Sequence, residues 1–451
     1  NQDIADKEFR QGDRGKRQNV DHAIRNTVAI VNRHHAKPNR KRDRNRRREE
    51  RKKQRVAKAF GDLFCHRCTT GPAIAEIALN NTAKPFEIAG GNRAIQAKVP
   101  RVGSSHCKLL QYEKVATIRA LMFHNLSDTG MPALADLVGS GALGSLKQLR
   151  LDMNKLQEQD WQDAEQGIYP EQLLFDAPWL DWVSRYPQVW MDLPSTWDRR
   201  RERNVRDLPK ETDAALYPDY YLQNFHHQTD GYLSDHSAGL YDLQVEILFN
   251  GTADAMRRRV LAPLKRGLKH FADRAPGSLK ILDVATGTGR TLHQIRAAVP
   301  HAQLIGTDLS ESYLRQANRW LNDGDASLVQ LIRANGESLP LADGSVQAVT
   351  SVFLLHELPA EARQNVLNEA WRVLEPGGVF VLADSVQMAD SAKFAAVMEN
   401  FRRVFHEPYY RDYIGDDIDA RLSAAGFEGI TAETHFMTRV WSARKPRAEV
   451  C

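Results

Sequence analysis

The chain has 451 residues, of which 42% are hydrophobic and 26% charged, and 62 Lys and Arg against 57 Asp and Glu leave a net charge of +5. This composition is that of a globular protein with room for about three domains, and it excludes a collagen-like, a wholly disordered or a disulfide-stapled chain. Four cysteines suit a reducing compartment, and no apolar run reaches the roughly 18 residues of a membrane span. We therefore expect a cytoplasmic or organellar protein, plastid stroma included, that is not secreted. Because the chain begins with Asn1, we expect a fragment or a processed product.

Residues 1–60 form a basic segment. Between Arg40 and Lys58, twelve Lys and Arg stand against three acidic residues. A stretch this charged cannot bury enough apolar surface to fold alone, so we predict a disordered arm. A solvated tail is the favoured role. Nuclear targeting, contact with nucleic acid through phosphates, and a transit peptide are the alternatives.

Residues 61–115 stay unassigned. Their one motif is the CxxC of Cys65-His-Arg-Cys68. A zinc site needs a second ligand pair at suitable spacing, and the only candidate, His106-Cys107, is adjacent rather than spaced. We therefore predict no metal ligands.

Residues 116–157 contain a leucine-rich pattern. The segment Leu149-Arg-Leu-Asp-Met-Asn154-Lys-Leu156 fits an LxLxxNxL frame, and Leu121-Met-Phe-His-Asn-Leu126 repeats part of it. This frame resembles ribonuclease-inhibitor-type leucine-rich repeats, which implies a strand followed by a turn. Since at least three repeats are normally needed to bury a solenoid core, we predict a partial array.

Residues 158–270 are rich in Trp, Tyr and Pro. Aromatic side chains at this density more often form core than ligand platforms. The apolar spacing predicts helices over 237–249 and 253–271. We therefore expect an aromatic-rich helical lead-in or cap before the next domain.

From Lys280 the sequence alternates short apolar runs with helical patterns. This alternation predicts an α/β domain over 271–445, with a parallel sheet covered by helices on both faces, and a tail over 446–451. In such sheets the ligand binds beyond the carboxyl ends of the strands. The predicted strands are 280–285, 302–307, 328–332, 346–353 and 379–383, and the predicted helices are 290–299, 310–321 and 360–374.

The residues at these strand ends suit an adenosine that carries a positive group and no phosphates. The turn Gly287-Thr-Gly289 lets a ligand lie against bare backbone, but Leu292 stands where a dinucleotide fingerprint needs its third glycine. Asp283, directly before the turn, is unfavourable for a pyrophosphate. Asp308 can accept both hydroxyls of a ribose. Asn335 offers an amide for an adenine edge.

Taken in order, these motifs resemble those of class I S-adenosylmethionine-dependent methyltransferases, and they are most similar to the small-molecule group that includes the ubiquinone/menaquinone C-methyltransferases. The resemblance covers about 276–445, with a lead-in from about 217. It departs from the family at Ala285, where Gly is usual, and at Asn335, where Asp is usual. The motifs are Asp283-Val-Ala-Thr-Gly287-Thr-Gly289, Asp308, Asn335-Gly-Glu337-Ser-Leu-Pro340 and Leu374-Glu-Pro-Gly377-Gly378.

The resemblance implies a Rossmann-like, seven-stranded, mostly parallel sheet with an antiparallel C-terminal hairpin. It also implies S-adenosylmethionine as cofactor, with Asp283 near the sulfonium end, Asp308 at the ribose and Leu309 against the adenine. We expect methyl transfer to a small, apolar or aromatic acceptor. The cofactor residues it implies are Asp283, Ala285, Thr286, Gly287, Thr288, Gly289, Asp308, Leu309, Asn335, Gly336, Glu337 and Phe353.

Catalysis by such an enzyme depends mainly on orientation, and a base is needed only if the acceptor must lose a proton. The candidates are His356 after the fourth strand and, in the lead-in, Tyr221 and His226. Each of them can instead be structural. Two rival functions stay open: a leucine-rich-repeat binding protein with a non-catalytic methyltransferase-like domain, and a nicotinamide-dependent oxidoreductase.

Overall fold

The computed structural model describes residues 142–322, 328–390 and 395–447, which belong to one compact unit, Ile95–Cys451. The predicted basic arm, the unassigned stretch 61–115 and the first part of the predicted repeat lie outside the described residues. In the described part, no helix combines the length and the apolar character needed to cross a membrane.

A seven-stranded sheet forms the centre of the fold, with strand order β3-β2-β1-β4-β5-β7-β6. The first five strands are parallel, whereas β7 runs antiparallel to both β5 and β6. The predicted α/β sheet with a C-terminal hairpin is confirmed. The strands are β1 (Lys280–Val284), β2 (Gln303–Asp308), β3 (Gln330–Arg333), β4 (Val346–Val352), β5 (Leu374–Ser385), β6 (Glu428–His435) and β7 (Thr438–Arg444).

Helices precede the sheet and cover it. The predicted helix over 253–271 is interrupted, because Pro263 has no amide hydrogen to donate to a preceding carbonyl, and the helix restarts at Leu261. The helices are α1 (Ala142–Glu165), α2 (Trp179–Glu202), α3 (Asp235–Leu248), α4 (Ala253–Arg258), α5 (Leu261–Leu268), α6 (Arg290–Ala298), α7 (Glu311–Leu321), α8 (Ala360–Val373), α9 (Ala395–Val404), α10 (Tyr410–Ile414) and α11 (Ile418–Ala424).

The core lies on both faces of the sheet. Successive residues of a strand point to opposite faces, so Leu282 packs in one apolar cluster with Val366 of α8. Its neighbour Ile281 packs in the other cluster with Leu264 of α5. The central strands β1 and β4 are buried over almost their whole length, as is usual where helices cover both sides of a parallel sheet.

The predicted leucine-rich repeat is wrong where the structure describes it. The segment Leu149–Leu156 lies inside the continuous helix α1 rather than in a strand and a turn. Leu156 is buried beside Met256 of α4, while Leu151 is 46% exposed. Leu149 and Leu156 are seven residues apart, which is two helical turns, so both fall on one face of a helix.

Candidate active site

A cavity opens at the carboxyl-terminal edge of β1, β2, β3 and β4, where a parallel sheet binds its ligands. The sheet side of its wall includes nine of the twelve predicted cofactor residues. Tyr221, Tyr232 and Tyr241 come from the lead-in and close the other side. The nine are Ala285, Thr286, Gly287, Thr288, Asp308, Leu309, Asn335, Gly336 and Phe353.

The turn after β1 forms the floor of the cavity. Gly287 and Gly289 have φ angles of 56° and 81°, in the left-handed region that glycine adopts without strain. Gly289 is not among the lining residues. It faces α7 instead, and a Cβ placed there would lie 2.8 Å from Leu321 Cδ1.

Asp308 connects the end of β2 to this turn. Its Oδ2 accepts a hydrogen bond from the Gly287 amide at 2.8 Å, and its Oδ1 accepts one from the Ser310 amide at 2.8 Å. Burial raises the pKa of Asp308 to about 6, against the lowering effect of these hydrogen bonds. The carboxylate is therefore oriented by backbone amides while it still borders the cavity.

Asp283 lies behind the wall rather than in it. Its side chain is buried and accepts a hydrogen bond from Thr350 Oγ1 at 2.6 Å. Burial raises the pKa of Asp283 to about 7, although the hydrogen bond from Thr350 lowers it. Any effect on a ligand would therefore act through Thr286 and the turn.

Glu337 also lies outside the cavity lining, because other side chains surround its carboxylate. Tyr220 Oη donates to Oε1 at 2.6 Å, and Asn365 Nδ2 donates to Oε2 at 2.9 Å. The Glu337 amide donates to Asn335 Oδ1 at 3.0 Å, which fixes the Asn335 side chain. Burial raises the pKa of Glu337, but hydrogen bonds from Asn365, Tyr220 and Asn335 outweigh it and hold the pKa below its usual value.

The three predicted catalytic residues occupy different positions. Tyr221 lines the cavity, whereas His356 and His226 do not. His356 lies in the turn after β4, and its Nδ1 is 2.6 Å from Asp384 Oδ1 at the end of β5. Burial would lower the pKa of His356, but the Asp384 carboxylate raises it to about 9.

His226 lies between two carboxylates. Its Nδ1 is 2.9 Å from Glu407 Oε1, and its Nε2 is 3.4 Å from Glu357 Oε1. Burial would lower the pKa of His226, but these two carboxylates raise it to about 10. Glu357 itself lines the cavity and accepts a hydrogen bond from the hydroxyl of Tyr232.

Sequence reasoning missed Tyr220, Tyr232, Glu357 and Glu407. For Glu357 a signal existed, since it directly follows His356 at the end of a predicted strand. Tyr232 and Glu407 belong to no motif. They reach the site through the packing of the lead-in and of the segment between α9 and α10.

Comparison with known proteins identifies the domain. Residues 281–378 match the family described as a methyltransferase domain. The ubiquinone/menaquinone biosynthesis C-methyltransferase UbiE of Desulfotalea psychrophila is 34% identical over 168 residues, which are 37% of this chain and 63% of that protein. The demethylmenaquinone methyltransferase of Thermotoga maritima is 31% identical over 152 residues, or 34% of this chain and 59% of that protein.

Among solved structures, human N-acetylserotonin methyltransferase in complex with SAM is 13% identical, with a TM-score of 0.37. The matched region is 56% of this chain and 67% of that chain. The chain spans between about half and just under two thirds of the length of the curated relatives it matches. From the family match and the sheet topology, the chain carries a class I S-adenosylmethionine-dependent methyltransferase domain, for which S-adenosylmethionine is the cofactor.

Proposed function

We propose that this domain transfers the methyl group of S-adenosylmethionine to a carbon atom of a small, apolar or aromatic acceptor. The observation that carries the proposal is the cavity at the carboxyl ends of β1 to β4, which brings the glycine turn, Asp308 and Asn335 to one place. The name of one relative, a ubiquinone/menaquinone biosynthesis C-methyltransferase, favours carbon as the methylated atom.

The lining residues suit the parts of the cofactor. Asp308 keeps lone pairs for the ribose hydroxyls, since each of its oxygens accepts one backbone hydrogen bond. The Asn335 side chain suits an adenine edge. Arg257, which lines the cavity and pairs with Asp254 at 2.9 Å, suits a carboxylate. When bound, S-adenosylmethionine supplies an electrophilic methyl group.

Aromatic side chains also line the wall and support an apolar, planar acceptor. Phe225, Tyr232, Tyr241 and Phe353 border the cavity, and flat rings favour stacked or edge-on contact with another ring. In this proposal Tyr221 contacts the acceptor, whereas His226 and His356 act from behind the wall through the carboxylates that they contact. The chain's main contribution is to hold the acceptor carbon in line with the methyl group.

The first experiment is calorimetric titration with S-adenosylmethionine. We expect micromolar binding, weakened by about tenfold or more in Asp308→Ala because hydrogen bonds to a charged acceptor are lost. Asp273→Ala, at an exposed carboxylate outside the cavity, is the matched control and leaves the affinity unchanged. Binding of NADH alone would favour an oxidoreductase and contradict the proposal.

The second experiment tests the acceptor. Incubation with methyl-labelled S-adenosylmethionine and demethylmenaquinol, the type of acceptor that one relative's name suggests, should give a labelled product whose new methyl group is on carbon. Label found only on oxygen, nitrogen or protein would contradict carbon transfer to a small aromatic acceptor.

A further inference from the structure

Glu357 lines the cavity but is not one of the residues proposed to bind the cofactor. Asp308 and Asn335 face the ribose and the adenine in the proposed arrangement, while Glu357 comes from the turn after β4 (Leu355–Glu357). Its side chain is 14% exposed, and it lines the cavity beside Phe353 and Leu354. A carboxylate in this aromatic wall can accept a hydrogen bond from a ligand hydroxyl.

Two side chains contact the Glu357 carboxylate, and a third contacts one of them. The hydroxyl of Tyr232 donates to Glu357 Oε1, and His226 Nε2 lies 3.4 Å from the same oxygen. The opposite nitrogen of His226 lies 2.9 Å from Oε1 of Glu407, whose side chain is 0% exposed. Because Glu407 is fully buried, it orients the imidazole without reaching the ligand itself.

We propose that Glu357 binds a hydroxyl group of the acceptor and takes its proton, and that Tyr232, His226 and Glu407 position this carboxylate. This inference rests on the proposed function and adds to it the acceptor's chemical class: a phenol or enol whose hydroxyl is conjugated with the carbon that is methylated.

Proton transfer to Glu357 precedes methyl transfer. The acceptor O–H bond breaks and its proton joins a Glu357 oxygen. The electron pair that remains is delocalised onto the conjugated carbon, which forms a bond to the methyl group while the sulfur–methyl bond breaks and its electron pair stays on sulfur. For a phenol, the methylated carbon then loses its hydrogen to solvent as a proton and the C–H electron pair restores the aromatic ring, while Glu357 returns its proton to the acceptor oxygen. One proton is released for each methyl group transferred.

A positive charge lies beside Glu357. The groups that face it are the hydroxyls of three tyrosines, two carboxylates and two histidines. His226 is cationic over the neutral range, since the adjacent carboxylates raise its pKa to about 10. The positive imidazole therefore offsets the two carboxylates that it touches. The facing groups are Tyr221, Tyr232, Tyr241, Asp308, Glu407, His226 and His356.

The test compares two probes, 1-naphthol and naphthalene, by equilibrium dialysis against protein saturated with S-adenosylhomocysteine. Naphthalene is the more hydrophobic probe, so apolar contact alone favours it. We expect the wild type to bind 1-naphthol about tenfold or more tightly than naphthalene, Glu357→Gln to lose that preference, and the exposed control Glu428→Gln to keep it. Glu407→Gln and Tyr232→Phe should reduce the preference by a smaller factor.

Affinity for S-adenosylhomocysteine and the thermal unfolding midpoint, measured on every variant, separate this role from a structural one. The expected result is a lost preference with both values kept. Should Glu357→Gln unfold, Tyr232→Phe and Glu407→Gln carry the comparison with the carboxylate still present.

Three results would overturn the inference: a wild type that binds neither probe or does not discriminate, a preference that survives in Glu357→Gln, or stoichiometric Mn²⁺ binding that Glu407→Gln abolishes. The last would make His226, Glu357 and Glu407 a metal centre. None of these affects binding of S-adenosylmethionine, whose absence would instead refute the proposed function.

Discussion

Ala285 has a left-handed backbone conformation, with a φ of 56°, at the position where the family usually has glycine. A non-glycine residue there costs roughly 1–2 kcal/mol, while glycine's extra freedom in the unfolded chain costs about 0.5–1 kcal/mol. We therefore expect Ala285→Gly to raise the free energy of unfolding by up to about 1 kcal/mol in urea titrations. Ala297→Gly, in the last turn of α6, should lower it by up to about 1 kcal/mol. Equal losses in both variants would contradict the argument.

Asp283 should make stability depend on pH. Its pKa is about 7 in the folded protein and about 3.9 in an unfolded chain. Below pH 4 Asp283 is protonated in both the folded and the unfolded state, so it does not lower the free energy of unfolding. Between pH 4 and 7 the unfolded state releases its proton first, so the free energy of unfolding falls as pH rises. Above pH 7 this loss is complete.

Asp283→Asn removes this titration and keeps an oxygen for Thr350. We expect the variant and the wild type to be similarly stable near pH 4, and the variant to be more stable at pH 8 by roughly 1–4 kcal/mol. Chemical denaturation across this pH range measures the difference. A difference that does not change with pH would show that Asp283 is ionised throughout.

Some single residues of the site could be placed from the sequence, and others could not. Asp308 and Asn335 could be placed at one edge because each lies at or shortly after the end of a strand of a parallel sheet, and such strands end together. The contact of His226 with Glu357 and Glu407 could not be predicted. These residues are far apart in the sequence, and only the packing of the lead-in against the turn after β4 brings them together.

At the scale of elements, helix α1 is joined to α4 by a buried ion-pair network. Asp160 is fully buried, with its Oδ2 2.6 Å from Arg258 Nη2 and its Oδ1 2.9 Å from Arg259 Nη2. Removing one member of a buried pair typically costs about 3–5 kcal/mol, since the partner stays buried and charged. Asp160→Asn should therefore lower the free energy of unfolding by that amount in urea titrations.

Asp152→Asn is the matched control for α1. Asp152 pairs with Lys155 at 3.5 Å, and the Lys155 side chain is 75% exposed, so its loss should cost less than about 1 kcal/mol. If both substitutions had the same small effect, the buried network would not fix α1 to the domain.

The bounds of helices with a clear apolar periodicity could be predicted closely. The bounds of elements that depend on single residues could not. The predicted helix 310–321 and the observed α7 (Glu311–Leu321) agree because Ser310 accepts a hydrogen bond from the Tyr313 amide at the helix start. By contrast, β5 begins at Leu374 rather than at 379, before Pro376-Gly-Gly378, and its pairing with β4 is irregular there. The eight-residue leucine pattern of Leu149–Leu156 likewise fits both a leucine-rich-repeat strand and one face of a helix. Its buried contacts favour the helix α1.

At the scale of the whole molecule, the basic segment and the cofactor site can be separated experimentally. Every described residue that lines the cavity lies between Tyr220 and Val366, whereas Arg40–Lys58 alone carries more positive charge than the whole chain's net +5. Deleting residues 1–60 should therefore leave the dissociation constant for S-adenosylmethionine essentially unchanged, because every described lining residue stays in the chain. The same deletion should abolish retention on a heparin column at low salt.

A full-length variant with Gln at the twelve Lys and Arg positions separates charge from length. Cofactor affinity weakened more than tenfold by the deletion would show that the segment completes the site.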